Sequence, residues 1–110
     1  TESPVGDRYL GEGSVVADGA TVAGGTTLGA GTVVRDGARV TGSVLGAGCV
    51  VEPGAVVESA VLGDGVTVGA GSIVGPGAIV GDDARIGGDV RLTDVTVATG
   101  EHVTSSPTPS

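Results

Sequence analysis

The chain contains no lysine, methionine, tryptophan or phenylalanine, and only one tyrosine, one cysteine and one histidine. A two-layer domain of this size normally buries aromatic side chains, so a conventional core of that kind is not expected. Aromatic stacking on single-stranded nucleic acid is excluded for the same reason. The cations are five arginines against thirteen acids, a net charge of −8. No basic stripe can form to neutralise phosphates, so neither nucleic acid nor an anionic membrane is an expected partner. One cysteine permits no intrachain disulfide. No apolar run approaches the roughly 20 residues a membrane-crossing helix requires.

What the chain does contain is glycine, 23 residues of it, and a metrical aliphatic pattern. Leu10, Val16, Val22, Leu28, Val34, Val40, Leu45, Val51, Val57, Leu62, Val68, Val74, Val80, Ile86, Leu92, Val97 and Val103 follow one another at steps of six, or occasionally five. A period of six fits neither a helix face nor a simple alternating sheet, and self-similarity at a short fixed period marks a coil-by-coil repeat. Taking the hexads in turn as sides A, B and C from Leu10, the three five-residue steps (Val40 to Leu45, Val57 to Leu62, Leu92 to Val97) all leave side C. The spacing therefore predicts a triangular prism of parallel strands, with coils of 17 or 18 residues starting at Leu10, Leu28, Leu45, Leu62 and Val80 and a partial coil from Val97.

The hexads carry an internal pattern as well. Two places before most aliphatic sites stands a small residue: Ser14, Ala20, Thr26, Thr32, Ala38, Ser43, Cys49, Ala55, Ala60, Ser72, Ala78 and Ala84, with Val66, Val90 and Val95 as larger variants. Alternation along a strand sends both members of each pair inward. Three places after the aliphatic site glycine recurs, at Gly13, Gly19, Gly25, Gly31, Gly37, Gly48, Gly54, Gly65, Gly71, Gly77 and Gly100. A sharp corner there requires positive φ, which glycine adopts without penalty. Asp83 and Asp89 take the place of glycine in two late hexads, and Asp tolerates that conformation better than most residues. Cys49 falls on an inward corner site and reads as a packed structural thiol. The acids sit largely at corners, Glu12, Asp18, Asp36, Glu52, Asp64, Asp82 and Asp94 among them, where solvation is the ordinary role.

Residues 1–9 lack the pattern and read as a linker with an N-terminal cap; residues 10–103 form the prism; residues 104–110, rich in Ser, Thr and Pro, are expected to be disordered. The chain opens on Thr without a charged-then-apolar leader. A fragment or processed product, located in the cytoplasm, is the expectation.

Units such as LGAGTV, LGAGCV, LGDGVT, VGAGSI and VGPGAI resemble the hexapeptide-repeat family, over residues 10–103. The resemblance implies an all-β fold, a single-stranded left-handed parallel β-helix of about five coils. Handedness comes from the resemblance alone, since parallel crossovers are usually right-handed. The segments Ser43-Val44-Leu45-Gly46-Ala47-Gly48 and Ala60-Val61-Leu62-Gly63-Asp64-Gly65 look like the C-terminal domain of sugar-1-phosphate nucleotidyltransferases, of the mannose-1-phosphate guanylyltransferase and glucose-1-phosphate thymidylyl- or uridylyltransferase types. Ser3 to Tyr9 is similar to the link that joins such a domain to its catalytic half. The resemblance implies an assembly or regulatory domain in nucleotide-sugar synthesis that itself lacks the nucleotidyl-transfer site. Mg2+ and a nucleoside triphosphate would then bind to the attached catalytic half, and no cofactor is expected in this segment.

A second class of the family moves an acyl group from acyl-CoA to a hydroxyl or amine and needs a general base, normally histidine. His102 is the one candidate here. It precedes Val103 directly and should point outward on side B, and no loop is extruded from the register to help it. A zinc carbonic anhydrase of this fold needs three histidine ligands, so no metal site is expected. A non-catalytic scaffold is the third reading. Outward positions supply the remaining signal: Val44, Val61 and Ile79 stack on side A, and Val15, Val33 and Val50 on side B ahead of Thr67 and Arg85. A stacked apolar patch on a flat side marks a contact with a partner. These six are the interface candidates, for further copies of the chain, for an N-terminal catalytic domain, or for both.

Overall fold

The computed structural model describes residues 8–104. The proposed linker and tail lie largely outside them. Every regular element among the described residues is a short strand. The first coil comprises β1 (Arg8–Leu10), β2 (Val15–Val16) and β3 (Thr21–Ala23), and the second β4 (Thr26–Leu28), β5 (Val33–Val34) and β6 (Arg39–Thr41). The third holds β7 (Val44–Leu45), β8 (Val50–Val51) and β9 (Val56–Glu58), and the fourth β10 (Val61–Leu62), β11 (Thr67–Val68) and β12 (Ile73–Val74). β13 (Ile79–Val80), β14 (Arg85–Ile86) and β15 (Arg91–Leu92) complete the fifth, and β16 (Thr96–Val97) and β17 (His102–Val103) begin a sixth.

Every third strand pairs with the next in parallel, which makes three sheets: β1-β4-β7-β10-β13-β16 on side A, β2-β5-β8-β11-β14-β17 on side B and β3-β6-β9-β12-β15 on side C. Each aliphatic site stands in register with its counterpart one coil away, Leu28 with Leu45, Val51 with Val68, Val57 with Val74. The short steps cause no slip, because all three lie at the same corner. The protein is thus a left-handed parallel β-helix. Between coils the ladder continues through the corners, Gly29 N–H donating to Leu45 O at 2.8 Å and Gly46 N–H to Leu62 O at 2.9 Å. Satisfying the corner backbone in this way lets the prism repeat without cost in unpaired polar groups.

The core runs along the axis. Leu28, Leu45, Leu62 and Leu92 are its largest fully buried side chains, and the inward small residues from Thr26 to Val90 are buried beside them. The expectation that all seventeen aliphatic sites are buried fails at the ends. Leu10 is 38% exposed and Val16 and Val103 are half-buried. A terminal coil has a neighbour on one face only, so its inward side chains stay partly open. Ser14, Ala20 and Val95 are half-buried for the same reason.

The corners bear out the positive-φ reading at Gly13, Gly25, Gly31, Gly37, Gly48, Gly54, Gly65, Gly71, Gly77 and Gly100, and at Asp83 (φ 59°) and Asp89 (φ 58°). Gly19 is a correction, since it is not among the positive-φ residues. A Cβ there would meet the carboxylate end of the exposed Asp36 side chain on the next coil. At the five-residue steps the left-handed residue moves one place earlier, to Gly42, Ser59 and Asp94. One fewer residue turns the same corner, and the turn must start sooner.

Candidate interaction surface

Inside the corner between sides A and B, polar side chains link successive coils. Ser14 Oγ donates to Gly29 O at 2.9 Å, Thr32 Oγ1 to Gly46 O at 2.8 Å, and Cys49 Sγ to Gly63 O at 3.1 Å. Thr32 Oγ1 also accepts the Cys49 N–H at 3.4 Å. Cys49 is free and fully buried. Burial raises its thiol pKa above the ordinary value of 9.0, with the Asp64 carboxylate adding in the same direction. A protonated, enclosed thiol is a poor nucleophile. Ser72 Oγ accepts the Val90 N–H at 2.9 Å and donates to Gly87 O at the next corner. Among the described residues no buried side-chain polar atom lacks a partner, and these groups form no cavity that a substrate could enter.

The corner acids are partly structural. Asp64 Oδ1 accepts the Ala47 N–H, and Asp82 Oδ1 accepts the Asp64 N–H, each at 2.9 Å and each from the coil before. Arg35 Nε lies 3.3 Å from Glu52 Oε1 in a solvent-exposed pair, a geometry that contributes little to stability. His102 is exposed on side B, in register with Arg85 one coil earlier. No described loop leaves the prism near it, as the spacing predicted.

The three outer faces differ. Side A presents Thr27, Val44, Val61, Ile79 and Thr96 in consecutive register, a ladder without a charge. Val44, Val61 and Ile79 are 49%, 48% and 52% exposed. Side B is apolar in its early coils, with Val15 54% exposed but Val33 and Val50 half-buried, and then turns polar through Thr67, Arg85 and His102. Side C carries half-buried Val56 and Ile73 between exposed Arg39 and Arg91. The register therefore brings three interface candidates together on side A as a continuous apolar strip, and three on side B as a weaker one.

A family model described as the GMPPB C-terminal domain matches residues 5–109. The chain belongs to this family. The hexad pattern and the shortened steps thus sit within a GMPPB C-terminal domain over nearly its full length. No curated protein matches the sequence. Among solved structures, a mutant of GDP-perosamine N-acetyltransferase from Caulobacter crescentus in complex with CoA and GDP-perosamine is similar at 23% identity, with a TM-score of 0.84 over 92% of this chain and 50% of that one. The acetyltransferase domain of PglB from Neisseria gonorrhoeae aligns at 23% identity and a TM-score of 0.72, over 93% and 49% of the two chains. The chain spans about half the length of these structures, and at that identity the likeness establishes the β-helix and nothing about chemistry.

Two features of this GMPPB C-terminal domain escape sequence reading. One is the hydrogen-bonded ladder through Ser14, Thr32 and Cys49, whose signal, small polar residues at every 17th or 18th place, reads equally as filling. The other is the carboxylate capping at Asp64 and Asp82, which depends on the neighbouring coil. Neither brings reactive groups together. Among the described residues no group of three or more His, Cys, Asp or Glu side chains is placed to hold a metal ion.

Proposed function

We propose that this β-helix is the assembly and regulatory half of a sugar-1-phosphate nucleotidyltransferase, and that nucleotidyl transfer takes place on another part of the same polypeptide. The observation that carries the reading is the family match over residues 5–109, joined to a prism whose polar groups are spent on its own coils. Mg2+, the nucleoside triphosphate and the sugar phosphate belong to that other part. Within this segment the interface candidates Val44, Val61, Ile79, Val15, Val33 and Val50 do the work, by giving flat apolar faces to a partner surface. The proposed setting is the cytoplasm, as the place of nucleotide-sugar synthesis; among the described residues no helix is long and apolar enough to cross a membrane.

The acyltransferase reading draws on the acetyltransferase structures that share the fold. It rests on His102 as general base and on acyl-CoA as donor. Among the described residues no carboxylate is hydrogen-bonded to His102 to orient its ring. The two readings separate on the intact mass and N-terminal sequence of the native polypeptide. A chain several times heavier than 10.3 kDa, with a glycine-rich strand-to-helix loop followed by Arg, supports nucleotidyl transfer. A chain that begins close to Thr1 leaves no room for that half and overturns it.

A further inference from the structure

Two basic side chains stand next to one another on the last coils of side B. Arg85 and His102 are the outward residues of β14 and β17, paired in direct register, and both are exposed. Neighbouring strands lie about 4.8 Å apart, so the guanidinium and the imidazole reach the same small volume. The other arginines are placed differently. Arg35 faces Glu52, and Arg39 and Arg91 are held three strands apart on side C by Val56 and Ile73.

No acid answers this pair. Among the described residues neither Arg85 nor His102 has an ion-pair or hydrogen-bond partner. The acids closest to them in the chain are turned elsewhere: Asp82 Oδ1 accepts the Asp64 N–H, Asp83 Oδ1 lies against Gly65 of the coil before, and Glu101 Oε1 accepts the Ala98 N–H at 2.9 Å. A cleft of about 240 Å³ opens beside the two side chains, bordered by the Thr67 and Thr104 residues and by Ile86 and Val103, and none of its described lining residues is acidic. A protonated imidazole and a guanidinium repel each other at this separation, and a shared anion turns the repulsion into attraction. The cleft is smaller than the roughly 300–1,000 Å³ of sites that enclose drug-sized ligands, so it takes a single small group and not a whole nucleotide.

We propose that Arg85 and His102 form a binding site for one phosphoryl group, carried by orthophosphate or by a small phosphate monoester. The planar guanidinium donates two parallel N–H bonds to such an oxyanion, the imidazole donates a third, and the hydroxyls of Thr67 and Thr104 are further donors at the edge of the cleft. Ile86 and Val103 offer apolar surface to the remainder of a monoester. Two cations match one phosphoryl group, not the phosphate row of a nucleic acid. The chain as a whole carries a net charge of −8, so an anion is retained here by direct contacts and not by the general field. His102, the base of the acyltransferase reading, serves as a ligand in this site, which requires neither acyl transfer nor an attached nucleotidyl-transfer half. Occupancy ties β17 to β14 and so fastens the last described coil.

Chemical protection in the full polypeptide tests this. Diethyl pyrocarbonate acylates a free imidazole, and the mass of the peptide that contains His102 reports that position alone. Saturating orthophosphate should slow the modification about tenfold relative to chloride of equal ionic strength. Arg85→Gln should abolish the protection while the rate in chloride stays unchanged, and Arg85→Lys, which keeps the charge, should retain part of it. Phenyl phosphate separates the two sources of the group: half-protection at a lower concentration than orthophosphate assigns a monoester whose remainder lies on Ile86 and Val103, and half-protection at the same or a higher concentration assigns orthophosphate itself. Equal rates in chloride and in both phosphates overturn the proposal. Protection that persists in Arg85→Gln overturns it too, because the anion then acts from another place on the polypeptide.

Discussion

Asp82 Oδ1 accepts the backbone N–H of Asp64 at 2.9 Å, and Asp64 Oδ1 in turn accepts the N–H of Ala47. Each carboxylate caps the corner of the coil before it, so the two acids act in series along one edge of the prism. Asp64→Ala should lower stability by about 1 kcal/mol, the usual net value of one hydrogen bond. Asp64→Asn keeps an acceptor oxygen and should retain most of that. Thermal unfolding of the two variants side by side checks the point, and equal losses would mean that charge, not the hydrogen bond, matters.

Two glycines separate conformational strain from crowding. Gly31 has φ 71° with nothing near an added Cβ, while Gly69 lies outside the positive-φ set but a Cβ there would run into the backbone of Gly87. Gly31→Ala should cost about 1–2 kcal/mol from the left-handed backbone alone. Gly69→Ala should cost more, because the obstruction is backbone of the next coil and cannot rotate away. Denaturant midpoints of both variants give the order.

Ser59 predicts a gain. It turns a five-residue corner at φ 47°, where Gly42 does the same work one coil earlier without strain. Ser59→Gly should raise stability by about 0.5–1 kcal/mol, the left-handed penalty less the extra entropy of glycine in the unfolded chain. A fall in the midpoint would show that the serine hydroxyl contributes more than its backbone costs.

Thr32→Val keeps the shape of the side chain and removes its hydroxyl. Val66 occupies the equivalent site two coils later and is fully buried, so the space accepts valine. The Cys49 N–H would lose its acceptor, and an unsatisfied buried donor costs about 1–3 kcal/mol. Chemical denaturation measures the loss; amide exchange at Cys49 locates it.

The buried thiol predicts a pH dependence. The folded pKa of Cys49 lies above the 9.0 of the unfolded chain, through burial first and Asp64 second. The folded state thus holds the proton more tightly. The thiol's contribution is complete below pH 9 and is lost as pH rises toward and through the folded pKa. Cys49→Ser, which has no such titration, should flatten the alkaline limb of the melting temperature against pH. Parallel curves for the two proteins would contradict the assignment.

The fold was legible because the repeat leaves so few alternatives. Seventeen aliphatic sites at steps of six or five, with each short step on one side, place Leu28 over Leu10 and Leu45 over Leu28 before any coordinates are known. The left-handed corners were legible wherever glycine or Asp follows by three. Gly19 was not: it follows Val16 by three like the others, yet its backbone stays outside the left-handed region. The interface candidates were named as outward by parity, but parity assigns Val44 and Val33 the same exposure. The structure half-buries Val33 and leaves Val44 open.

Sequence by itself determined the number of coils, the three-sided register and the inward and outward sets, because a period-six pattern constrains each side chain's direction through local backbone geometry. Tertiary structure alone decided which outward residues stay bare, where the corners tighten and how Cys49 is partnered. Those properties depend on what the coil above and the coil below place at each corner, a separation of 17 or 18 residues that only folding closes.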